Sequence, residues 1–210
     1  MSAPDDISLP PLAAGRMHEL SGPAALAFAL LAARDGAVLI TGSPQALSSL
    51  DPDGVAALAD PRQVTLVPCP VKAEALWAAE TALRAGGIET VILITGGTPD
   101  LTSLRRLQLA ARAGGALGLI LSDRPSAASA AETRWLCQPL LSKASAGLGD
   151  STRLHLSLYK NKKGTEGSWI VDVRPDDSYE TSLATGGPHS LRVTAAPAGE
   201  PLRPGRDRGR

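Results

Sequence analysis

The sequence has no excess charge of either sign: 21 lysines and arginines are matched by 21 aspartates and glutamates over 210 residues. That balance removes any general electrostatic reason for nucleic acid or acidic substrates to bind, so such binding would need a local patch. There are only two cysteines, Cys69 and Cys137, far apart and in apolar surroundings. Without paired spacing or further ligands nearby they do not make a metal site, and they read as buried thiols acting as small hydrophobes. The longest apolar stretch, 24–33, falls well short of the ~20 residues that cross a bilayer. The first residues carry Asp5, Asp6 and three prolines where a secretory signal needs a basic start and an apolar run. A soluble, cytoplasmic protein with no membrane contact is expected.

What is present is enough hydrophobic residue, 43%, to build one sizeable core. Residues 1–13 are proline-rich and show no period, so a flexible lead-in is expected. Short apolar runs at 37–40, 64–67, 91–94 and 117–121, bounded by glycine or proline, mark buried strands. Helical stretches lie between them. One is 23–34. The second, 71–85, has Leu76, Ala79 and Leu83 on one face and ends at Gly86 and Gly87. The third, 101–113, follows Asp100 as N-cap and carries Leu104, Leu107 and Ala111 at helical spacing. Strands alternating with helices of this length predict a mostly parallel sheet with right-handed crossovers.

After Ser122 the pattern changes. Residues 133–141 read as a strand, and 153–159 alternate polar and apolar strictly. A turn rich in Asn161, Gly164 and Gly167 leads to a return strand at 169–173, which makes a hairpin. From 174 to 210 proline, glycine, serine and arginine dominate, and a disordered tail is expected. The core is therefore placed at 14–173.

Nucleotide hydrolysis of the P-loop kind needs a glycine-rich loop around the phosphates, its lysine and hydroxyl, and acids at strand ends for the metal and the water. The run Gly15-Arg16-Met17-His18-Glu19-Leu20-Ser21-Gly22-Pro23 resembles the strand entering that loop in RecA. The run Tyr159-Lys160-Asn161-Lys162-Lys163, leading to Trp169-Ile170-Val171-Asp172-Val173, is similar to the hairpin closing the RecA core. Here, however, Gly22-Pro23 passes directly into Ala24-Ala25-Leu26, so the lysine and hydroxyl are missing. Gly96 and Gly97 follow Thr95 where a metal-ordering acid would stand, and Gly42-Ser43 close another strand without an acid. ATP hydrolysis, a cofactor and a metal are not expected.

Within the RecA-like group the chain resembles the ImuA family, relatives of SulA. The match lies in Ser103-Leu104-Arg105-Arg106-Leu107-Gln108-Leu109-Ala110-Ala111-Arg112, in Thr133-Arg134-Trp135 and in Trp169-Ile170-Val171, within a likeness over about 14–173. The resemblance implies a RecA-like α/β fold and a non-catalytic accessory role in damage-induced (SOS) mutagenesis and translesion synthesis. The implied partner is an ImuB-like protein and, indirectly, the error-prone polymerase DnaE2, with RecA or self-association as further partners. The rival it implies is a SulA-type division inhibitor binding FtsZ.

The candidate partner surface is the helix face with Arg105, Arg106, Gln108 and Arg112, although such a face is more often simply solvated. Arg153, Lys160, Lys162 and Lys163 form a weak candidate for phosphate contact. The segments 96–100 and 123–131, which stand where RecA has its DNA loops, are short and mostly uncharged, so direct DNA binding should be weak or absent. His18 and His155 have no acid or cysteine beside them in sequence and are not expected to be catalytic. Trp77, Trp135 and Trp169 read as core or sheet-edge aromatics, any one of which would suit an anchor for a partner.

Overall fold

The computed structural model describes residues 12–33, 36–123, 129–141, 152–175 and 189–195. Of the segments expected to be flexible, 1–11 of the lead-in at 1–13 and the stretches 176–188 and 196–210 lie outside the described residues, as do 124–128 of the loop at 123–131.

The central apolar runs form strands because they are buried on both faces, which favours branched side chains throughout, whereas the run at 64–67 forms a largely exposed edge strand. The first six strands, apolar or mixed, lie between residues 17 and 140. They are β1 (Met17–Ser21), β2 (Val38–Gly42), β3 (Val64–Pro68), β4 (Thr90–Thr95), β5 (Leu117–Ser122) and β6 (Thr133–Leu140). Three strands follow: β7 (Thr152–Asn161), β8 (Gly167–Pro175) and β9 (His189–Ala195). All nine join one sheet in the order β3-β2-β4-β5-β1-β6-β7-β8-β9. The five pairings from β3 through to β6 are parallel, and the three beyond are antiparallel. The protein is thus mixed α/β with an antiparallel C-terminal section, as the change of pattern after Ser122 suggests.

Strand β9 corrects the expectation of no structure after residue 174. It pairs with β8 from Trp169↔Ala195 to Pro175↔His189. Backbone pairing to an open edge needs only a short alternating run. Ser190-Leu191-Arg192-Val193-Thr194-Ala195 is one, set between glycine- and proline-rich flanks that obscured it.

The helices are α1 (Ala25–Leu31), α2 (Pro44–Ser48), α3 (Pro52–Ala56), α4 (Lys72–Ala85) and α5 (Leu101–Gly114). Asp100 caps α5 by accepting from the amides of Thr102 and Ser103 at 2.8 and 3.0 Å, and Gly115 ends it in the left-handed region. The short α2 and α3, absent from the sequence reading, start with a cap followed by proline. Ser43 accepts from the Ala46 amide before Pro44, and Asp51 from the Gly54 amide before Pro52.

The sheet divides the core in two. On one face, α1 packs over Leu20, Ile40, Ile92 and Leu119, continuing to Trp135, Leu156 and Val171. The Trp135 ring lies 5.2 Å from Phe28 and 5.6 Å from Trp169. On the other face, α4 and α5 lie side by side over Met17, Val91, Leu93 and Ile120. Gly114 lets them approach so closely that a Cβ there would strike the Leu83 carbonyl oxygen.

Candidate functional site

At the carboxyl ends of the central strands, where open α/β sheets commonly bind ligands, the chain leaves little room for a phosphate. Only Gly22, Pro23 and Ala24 separate β1 from α1. Gly22 (φ +95°) is pressed against β6, so a Cβ on it would meet the Cys137 carbonyl oxygen, and the Ala24 amide donates to that same oxygen at 3.2 Å. The loop's first free amide thus goes to the neighbouring strand. No lysine stands in the turn, and α1 is two turns long. These residues do not fit a nucleotide phosphate. Among the described residues no three of His, Cys, Asp and Glu converge as metal ligands.

Beside this turn lies a buried polar cluster that the sequence reading did not find. Glu19, fully buried on β1, stands opposite Arg134 on β6. The Arg134 Nε lies 3.2 Å from Glu19 Oε2, an ion pair in distance but not aligned as a hydrogen bond. Thr98 Oγ1 donates to Glu19 Oε1 at 3.0 Å, and Ser122 Oγ reaches it at 3.4 Å. The Arg134 guanidinium carbon sits 5.2 Å from the centre of the Tyr159 ring. Tyr159 reaches it because the β6–β7 register slips between Arg134 and Trp135. Burial raises the Tyr159 phenol above its usual pKa, while the charge of Arg134 pulls it down. Such a cluster spans β1, β5, β6, β7 and the β4–α5 loop, so its chemistry is that of a fastening.

His18, on the opposite face of β1, is also structural. Trp135 Nε1 donates to Thr133 Oγ1 at 2.8 Å, and that hydroxyl lies 2.7 Å from His18 Nδ1. His18 Nε2 lies 3.2 Å from the Ala13 carbonyl oxygen, which can only accept. The chain is satisfied by a neutral imidazole protonated at Nε2, and burial accordingly pushes the His18 pKa below its ordinary 6.5. His155 is lowered by burial too.

The four candidates on α5 do not share one role. Arg105 and Arg112 are exposed. With Leu109, 64% exposed, they form an outward ridge at positions i, i+4 and i+7. Gln108 instead faces β1: its Nε2 donates to the Gly15 carbonyl, and its Oε1 accepts from the Met17 amide, both at 3.1 Å. Arg106 leans toward α4 and pairs with Glu80 at 2.6 Å. Helical spacing assigns a face but does not say which flank of it meets a neighbour.

The basic group on the hairpin is separated. Arg153 lies seven residues along β7 from Lys160, roughly 23 Å at the rise of a strand, and its Nε is 2.6 Å from Asp172 Oδ1. Lys162 Nζ donates to the Ala130 carbonyl at 2.6 Å, and Lys163 lies 3.6 Å from Glu132. Lys160 is exposed. Trp135 is a core residue, Trp169 is half-buried against it, and Trp77 on α4 is 66% exposed. No described helix is long and apolar enough to cross a membrane.

No protein-family model matches the chain. Two curated proteins named ImuA, from Caulobacter vibrioides strains NA1000 / CB15N and ATCC 19089 / CIP 103742 / CB 15, are each 30% identical to it over 138 residues. The match takes in 59% of this chain and 52% of each relative, so the chain spans about half the length of the curated relatives it matches. The crystal structure of SulA from Pseudomonas aeruginosa is 22% identical, with a TM-score of 0.41 over 50% of this chain and 96% of that one, a likeness too slight to assign fold or function. Over part of its length, this chain is similar to ImuA.

Proposed function

We propose that the protein is an ImuA-type accessory factor of damage-induced mutagenesis and translesion synthesis, built on a RecA-like core without nucleotide chemistry. In this reading it is not an enzyme. It works in the cytoplasm by binding an ImuB-like partner and acts through that partner with DnaE2. The observation that carries the reading is the 30% identity to ImuA over 138 residues. The closed β1–α1 turn, with no lysine and its amide already bonded to β6, agrees with a role other than ATP hydrolysis. The ridge of Arg105, Leu109 and Arg112 is the contact surface favoured by its exposure, because arginine forks and an exposed leucine together suit an interface.

The test is binding of the purified chain to an ImuB-like protein by calorimetry, with FtsZ in parallel. The paired change Arg105→Glu and Arg112→Glu should weaken the ImuB-like complex roughly tenfold or more while leaving the melting curve unchanged. Binding to FtsZ and not to the ImuB-like protein would replace this reading with a SulA-type one. ATP with Mg²⁺ should give no binding heat, and a micromolar affinity would overturn the loss of nucleotide chemistry. Single-stranded oligonucleotides should bind weakly and in a salt-sensitive way, because Lys162 and Lys163 are already engaged.

A further inference from the structure

The outer face of the α4–α5 layer carries a large aromatic side chain that the fold does not use. Trp77 is 66% exposed, whereas the other two tryptophans serve the core. It stands between two depressions. One, about 310 Å³, runs along the α4–α5 seam by Leu76, Ser103 and Leu107, and the other, about 430 Å³, lies beside Thr81 and Arg84. Between them a single carboxylate organises two cations. Glu80 accepts from Arg84 at 2.9 Å and from Arg106 at 2.6 Å, and its own side chain is largely covered. Each guanidinium is held by its bond to Glu80 while its side chain stays 60% and 61% exposed for Arg84 and Arg106, so further N–H donors are within reach of a ligand.

The charge of this face selects its occupant. Helix α5 has Arg105, Arg106 and Arg112 and no acidic residue, and α4 adds Lys72 and Arg84 against Glu74 and Glu80. A second copy would present the same positive face to itself. The chain's last residues, with Arg203, Arg206, Arg208 and Arg210, carry the same sign. Nucleic acid is disfavoured by the balance of 21 basic and 21 acidic residues over the whole chain, which gives a long polyanion no general field to follow beyond this one groove.

We propose that Trp77 and the Arg84–Glu80–Arg106 triad form a docking groove for an acidic, amphipathic peptide segment of a protein partner. An aliphatic or aromatic side chain of that segment packs beside Trp77, and its carboxylates take the further donors of Arg84 and Arg106. Tryptophan and arginine around a depression are the composition in which interface energy concentrates, and the opposed charges set the register of the segment. This rests on the reading that the chain works by binding a partner, but it does not depend on which partner that is.

The experiment pans a displayed library of random 16-residue peptides against the full chain and measures enriched peptides by the emission of Trp77. Acidic sequences with an apolar residue are expected. Their emission change should vanish in Trp77→Phe, and their affinity should fall roughly 30-fold in Trp77→Ser. The pair Arg84→Glu and Arg106→Glu should weaken these peptides as much, and versions with lysine for glutamate should regain binding to that variant. Thermal melting confirms that each exposed substitution leaves the fold intact. Failure to enrich acidic peptides, or enriched peptides indifferent to Trp77→Ser, overturns the proposal. So does an oligonucleotide of twenty thymidines that binds the parent and not the variant, or a parent dimer that Trp77→Ser makes monomeric. An ImuB-like protein that binds Trp77→Ser as tightly as the parent would leave the accessory role standing and remove this groove from it.

Discussion

The parallel part of the sheet and its antiparallel extension bury their residues in different ways. Strands β2, β4, β5 and β1 lie between α4 and α5 on one side and the short helices α1 and α2 on the other. Nearly every residue in β1 and β5 is buried regardless of which way it points. In the extension, Leu154, Leu156 and Leu158 of β7 point into the core, whereas Arg153, His155 and Asp172 are half-buried on the opposite face. Among the described residues no helix lies broadly across β7 or β8. The first region is therefore held by packing on both faces. The second is held by one apolar face and by polar pairs such as Ser157 with Ser168 at 2.8 Å.

The largest test of that difference is at the seam between the two regions. Glu19→Ala leaves the buried Arg134 charge without its carboxylate and should cost about 3–5 kcal/mol in urea unfolding. The double change Glu19→Leu with Arg134→Met should recover most of that loss. One transition that shifts as a unit means the two regions unfold together. A split into two transitions means the seam holds together otherwise separable parts.

A smaller loss is expected within the parallel region. Gly114→Ala forces a methyl group against the Leu83 carbonyl and should cost about 1–3 kcal/mol, seen as a lower melting temperature. Arg153→Met, which breaks a pair on the open face of the extension, should cost less than Gly114→Ala. The reverse order would show that the open face is held more tightly than its packing implies.

The next effect is a dependence on pH. The folded protein holds the imidazoles of His18 and His155 below the ordinary value of 6.5. Below that pH the unfolded chain takes up protons that the folded chain refuses. The stability these groups contribute is full above about pH 7 and is lost as pH falls through the window between 6.5 and the lowered folded values. The melting temperature should therefore drop between pH 7 and pH 5. His18→Gln should flatten that drop more than His155→Gln, because His18 is the more deeply buried. A slope unchanged in His18→Gln would assign it to other groups.

The smallest effect on stability is on the outer ridge. Arg105→Glu with Arg112→Glu should change unfolding by no more than about 0.5 kcal/mol. A larger loss would mean that the ridge supports the fold.

The same comparison explains what could be read from the residues. Buried parallel strands announce themselves as apolar runs, so 91–94 and 117–121 were legible, and Asp100 marked the start of α5. Strict alternation marked β7. Three features were not legible, for different reasons. Helices α2 and α3 are only five residues each, too short for a period, and their one sign was the repeated cap-then-proline in Ser43-Pro44 and Asp51-Pro52. Glu19 and Arg134 lie 115 positions apart, and only the β1–β6 register brings them together. The candidate arginines and lysines are legible only as a chemical type. Which of them is already engaged is decided by neighbours distant in sequence, as Glu80 decides for Arg106 and Ala130 for Lys162.

Gln108 has a mechanical consequence. Its amide grips the backbone at two points, the Gly15 carbonyl just before β1 and the Met17 amide at its start, so α5 is bolted to the entry of that strand rather than resting on it. A helix fixed in this way cannot slide along its axis by a turn without breaking both bonds. The spacing between Arg105, Leu109 and Arg112 therefore behaves as a rigid gauge. A load applied to that ridge is passed to β1, and from there to the Glu19–Arg134 fastening two residues further along the strand.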